Sequence, residues 1–88
     1  MNMKNLIEEK SFKDMIESIG CEFILANIES GLIAVYCKAN SQNNIIFKII
    51  LNENECVELI NSYGLYSKDK ITQVYQEYLK EINNDLNI

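Results

Sequence analysis

Eighty-eight residues carrying 48% hydrophobic side chains, fourteen of them isoleucine, are enough for one dense domain and exclude a disordered chain. Thirteen acids against eight lysines, with no arginine and no histidine, give a net charge of −5. That balance argues against direct nucleic-acid binding, which relies on arginine to grip phosphates and guanine edges, and it favours a basic protein partner.

The same inventory narrows the chemistry. Without histidine the usual general base at neutral pH is missing, and no G-x-S-x-G, P-loop or dinucleotide-binding glycine pattern occurs, so an enzyme is not expected. Cys21, Cys37 and Cys56 are odd in number and widely spaced. They predict buried thiols, with no disulfide framework, no zinc site and no cofactor. The longest apolar run, at positions 45–51, is interrupted by Lys48 and is far shorter than the ~20 residues of a membrane span. The first ten residues contain Glu8 and Glu9 and lack a signal-peptide pattern, so the expected location is the cytoplasm of a bacterial host. Twelve asparagines and the arginine-free lysine usage read as A/T-rich coding, as in a low-GC bacterium or its mobile elements.

In chain order, the first element runs from Met3 to Ile19. Met3, Leu6 and Ile7 project to one side of a helix, and Phe12, Met15, Ile16 and Ile19 to nearly the opposite side. Either the helix breaks near Lys10–Ser11, where Ser11 and Asp14 form a start signal, or one helix lies wedged between two surfaces. Gly20 ends it. Strands follow at Cys21–Glu29, Leu32–Ala39 and Asn44–Leu51, joined by Ser30-Gly31 and by Asn40-Ser41-Gln42-Asn43. Apolar residues alternate onto both faces of this sheet, which predicts a cover on each side. The first segment or a second copy of the chain would supply one of them, the copy making a homodimer.

Asn52-x-x-Glu55 reads as a capping box opening a helix that carries Val57 and Ile60 and ends at Gly64. Ser67 caps a last helix with Ile71, Val74, Tyr75, Tyr78, Leu79 and Ile82 on its apolar side. The expected architecture is therefore α+β: a three-stranded antiparallel β-meander, an N-terminal helical segment and two C-terminal helices, all in one domain.

The candidate binding residues are acidic. Glu53, Glu55 and Glu58 form the densest patch, joined by Glu29 and Asp69 as an anionic surface suited to a basic groove. In a first helical turn they would equally complement the macrodipole. Tyr66, in Tyr63-Gly64-Leu65-Tyr66, either plugs the core or anchors a partner.

With this element order, size and charge, the chain resembles small acidic phage-borne anti-CRISPR proteins of the Cas9-inhibiting kind. The opening Met1-Asn2-Met3-Lys4-Asn5-Leu6-Ile7-Glu8-Glu9 and the passage Asn52-Glu53-Asn54-Glu55 carry the likeness. The resemblance implies an inhibitor that binds a CRISPR-Cas nuclease and blocks DNA recognition or cleavage. Acidic side chains there stand in for DNA phosphates, facing basic groups that grip DNA. Here the carboxylates alternate with lysines, which leaves conformational locking beside mimicry. An immunity protein or antitoxin against a bacterial toxin, or a homodimeric regulatory subunit, is the alternative.

Overall fold

The computed structural model describes residues 3–40 and 44–86 as two layers, three helices lying on one face of a four-stranded antiparallel sheet. Helix α1 spans Met3–Ile7 and α2 spans Lys10–Glu17. Strands β1 (Cys21–Glu29), β2 (Leu32–Ala39), β3 (Ile46–Leu51) and β4 (Cys56–Ile60) pair in chain order, and α3 (Lys68–Leu86) closes the chain. The α+β class and the meander agree with the sequence. Of the predicted turn Asn40-Ser41-Gln42-Asn43, positions 41–43 lie outside the described residues.

The N-terminal segment is broken, and the break reconciles its two apolar sides. A turn after α1 lets Leu6 enter the same core as Phe12, Met15 and Ile16. The break falls two residues earlier than Ser11 suggested. Glu9, in extended conformation, begins α2 without a side-chain cap, and the Ser11 hydroxyl instead lies 3.3 Å from the Glu9 carboxylate. Phe12 is fully buried and meets Tyr78 of α3 edge-to-face at 6.0 Å, which ties the two helical blocks together.

The β1–β2 hairpin has the predicted ends. Ser30 and Gly31 both have positive φ, 54° and 77°, matching the paired left-handed residues that a right-twisted two-residue hairpin requires. A bulge between Phe23 and Leu25 adds an unpaired residue to β1.

The predicted helix over Val57 and Ile60 is instead strand β4. Asn52 does accept two backbone N–H groups, from Asn54 at 2.7 Å and Glu55 at 2.8 Å, as a helix cap would. Its own N–H donates to the Glu55 carbonyl at 2.9 Å, and the chain turns back as a hairpin. Leu51 then pairs with Cys56, and Ile49 with Leu59. The sheet therefore has four strands, one C-terminal helix follows, and Gly64 lies in the loop before that helix with φ 75°. Ser67 does cap α3, accepting the Lys70 N–H at 3.3 Å.

The core lies between the sheet and the helices. Ile33, Val35, Cys37, Phe47, Ile49 and Leu51 from the sheet meet Phe12, Ile16, Ile71 and Tyr75 from the helices. The expectation that the first segment covers the second sheet face fails, because that segment packs on the same side as α3. No described element covers the other face.

Candidate functional site

The meander brings both tight hairpin turns to one end of the sheet, and with them most of the predicted acidic residues. Glu29 closes β1, Glu53 and Glu55 sit in the β3–β4 turn, and Glu58 follows on β4. Glu53, Glu55 and Glu58 are exposed. None of them occupies a helical turn, so the macrodipole explanation of their clustering does not apply. Asp69 lies in the first turn of α3, and Tyr66 lies at the opposite end of the sheet. There the Tyr66 ring stacks on Phe47 at 4.7 Å and its hydroxyl donates to the Gly20 carbonyl at 3.0 Å. The aromatic side chain that this loop turns outward is Tyr63, 76% exposed with φ 54°. In sequence, Tyr63 belongs to the aromatic stretch at 63–66 and is expected to face the core, with Tyr66 as the binding candidate.

Side chains from α3 hold the acidic turn in place. The Tyr75 hydroxyl donates to the Asn52 carbonyl at 3.0 Å, the Gln76 amide to the Asn54 carbonyl at 3.0 Å, and the Cys56 N–H to the Thr72 hydroxyl at 3.0 Å. Burial raises the Tyr75 phenol to about 12, with Tyr78 and the Glu53 carboxylate adding to the shift. Beside the turn runs a cleft of about 420 Å³. Met3, Leu6, Tyr75 and Leu79 contribute its apolar lining, and Glu53, Asn54 and Asn83 its polar lining. A mixed lining of apolar side chains and one carboxylate suits a long aliphatic stem ending in a positive charge. A second groove of about 360 Å³ separates α2 from α3 and carries Asp14, Glu77 and Glu81.

The open sheet face carries a polar network of its own. Tyr36 donates to the Glu29 carboxylate at 2.7 Å, Lys48 bridges the same carboxylate at 3.5 Å, and the Lys48 ammonium sits 5.1 Å from the Tyr36 ring centre. The Tyr36 hydroxyl, and after it the Lys48 charge, hold the Glu29 carboxyl below its usual range. Ala34 faces this side and is still fully buried, which places the longer side chains of its neighbours over it.

All three thiols are free and buried, as the spacing predicted. Burial raises Cys56 to about 11, and the hydrogen bond that Cys37 donates to Cys21, together with burial, raises Cys37. Among the described residues no group of three or more histidine, cysteine or acidic side chains is arranged to hold a metal ion, and no helix is long and apolar enough to cross a membrane. Comparison with protein-family models, curated proteins and solved structures gives no match for this chain.

Proposed function

We propose that the protein works by binding a basic protein at the hairpin-turn end of its sheet, as an inhibitor of the anti-CRISPR type whose target is a CRISPR effector nuclease. It catalyses no reaction itself in this reading. The observation that carries the proposal is the exposed turn pair Glu53 and Glu55, with Glu53 lining the cleft that Met3, Leu6, Tyr75 and Leu79 also line. Glu58 follows on β4 and faces the open side of the sheet. Charges at the rim of an interface speed and orient encounter, whereas an apolar anchor helps overcome the roughly 4–15 kcal/mol that association costs. Both features lie at one end of this molecule. The likeness to anti-CRISPR proteins now rests on size and charge sign, because β4 stands where the element order called for a helix.

The test is direct. The purified chain is titrated into the guide-loaded effector nuclease of the source organism, and DNA cleavage is followed. Cleavage should stop near one inhibitor per enzyme, and the triple variant Glu53→Gln, Glu55→Gln, Glu58→Gln should inhibit at least tenfold less well. Undiminished cleavage at excess inhibitor contradicts the nuclease target. Stoichiometric capture of a basic toxin in its place would make the chain an immunity protein using the same acidic end.

A further inference from the structure

We infer that the uncovered face of the sheet is a self-association surface, where two copies of this chain pack sheet against sheet. The register identifies the residues. Counting outward from the buried positions, Leu25, Leu32, Ile46, Ile50 and Ile60 supply the apolar part of this face. Leu25 is 44% exposed and Ile46 54% exposed, on β1 and β3 in adjacent cross-strand rows of the face. These are not scattered surface apolars. They ring the Tyr36–Glu29–Lys48 network, which lies over Ala34 at the centre.

The charges on this face select the occupant. Glu22 stands opposite Lys38 across the β1–β2 ladder, and Glu29 is bridged by Lys48. Glu58, opposite Ile50, is the acid with no lysine across its ladder. The face is thus close to neutral on a protein of net charge −5. A basic partner gains little there and meets two lysines. A second copy meets a surface on which Glu29 and Lys48 are already paired and Glu22 stands across from Lys38, so that closing the interface strands few unmatched charges. Two-fold symmetry also allows the Lys48 of one copy to approach the Glu29 of the other.

Dimensions permit it. Four strands spaced ~4.8 Å apart and up to about 26 Å long give a footprint on the order of 500 Å² per copy. The pair therefore buries about 1,000 Å², the lower bound of a specific interface. A dimer in the micromolar range is expected, and it leaves the Glu53–Glu55 turn of each copy outside the contact.

Salt separates this surface from the acidic end. Two chains of charge −5 repel, so screening strengthens a dimer held by apolar contact, whereas it weakens a complex with a basic protein. The experiment is sedimentation equilibrium of the full chain from about 5 to 500 μM at low and high sodium chloride. Doubled mass should appear as concentration rises, at lower concentration in high salt. Ile46→Glu and Leu25→Glu change exposed positions, so the fold should persist by circular dichroism while the dissociation constant rises at least tenfold. Glu53→Gln with Glu55→Gln should leave high-salt dimerisation unchanged, so failure here is distinct from failure of the inhibitor reading. A monomer throughout, or a dimer that both sheet-face variants leave intact, overturns the inference.

Discussion

Tyr75 on α3 donates its hydroxyl to the carbonyl oxygen of Asn52 at 3.0 Å, and that bond joins the C-terminal helix to the turn that displays Glu53 and Glu55. Phenylalanine at position 75 keeps the packing and removes the bond. Tyr75→Phe should cost about 1 kcal/mol, a fall in Tm of roughly 4–8 °C for a domain of this size, measured by thermal melting. The same phenol makes stability pH-dependent. Its folded value of about 12 lies above its ordinary 10.0, so the stabilisation is complete below pH 10 and is lost as pH rises through 12. Tyr66 and Tyr78 are raised as well. Tyr75→Phe should therefore make the alkaline fall in denaturation midpoint shallower without abolishing it.

Glu29 offers a titration that reads the open sheet face. Its folded value is depressed, chiefly by the Tyr36 hydroxyl and then by Lys48. The carboxylate form is therefore favoured above the ordinary carboxylate range, and that preference is lost as pH falls through the depressed value. Tyr36→Phe should move the Glu29 titration upward toward ordinary glutamate, and Lys48→Met should move it by less. Carboxyl-carbon NMR titration measures both. An unchanged midpoint in Tyr36→Phe would remove the hydroxyl as the dominant influence.

The β1–β2 turn holds a residue poorly suited to its conformation. Ser30 has φ 54°, a left-handed backbone that serine tolerates less well than asparagine. Ser30→Asn restores the Asn-Gly pair preferred in such hairpins and should stabilise the fold by on the order of 0.5 kcal/mol. Differential scanning calorimetry should show Tm rising by roughly 2–4 °C.

Thiol chemistry reports on the core. Cys21, Cys37 and Cys56 are each at most 2% exposed, and Cys56 ionises only near pH 11. Native protein at pH 8 should react with an aromatic disulfide reagent no faster than it opens, and all three thiols should react at once in denaturant. Rapid labelling without denaturant would contradict this packing.

Much of this architecture is legible in the residues. Gly20, Ser30-Gly31 and Ser67 punctuate the chain where φ signs and caps demand, so β1, β2 and α3 follow from local chemistry alone. The stretch at 52–60 resists such reading. An asparagine accepting N–H groups two and three residues on looks the same at a helix start and in a hairpin turn. Cys56, Val57, Leu59 and Ile60 also satisfy helical spacing, and the bulge at Val57 breaks the strict alternation of a strand. Only pairing with β3 decides between them. The acidic cluster was legible as composition, but its place at the meeting of two hairpins depends on that fourth strand. The open face was legible as apolar alternation on both sides, and which side the first segment covers is settled by the turn after α1.

The most direct measurement of the central claim is the affinity for the effector nuclease as a function of salt, by calorimetric titration with the native chain and with the triple glutamine variant. The account predicts that native binding weakens steadily from 50 to 500 mM salt, and that the variant binds more weakly at low salt with a flatter dependence. Equal affinity and equal slope for the two chains would contradict it.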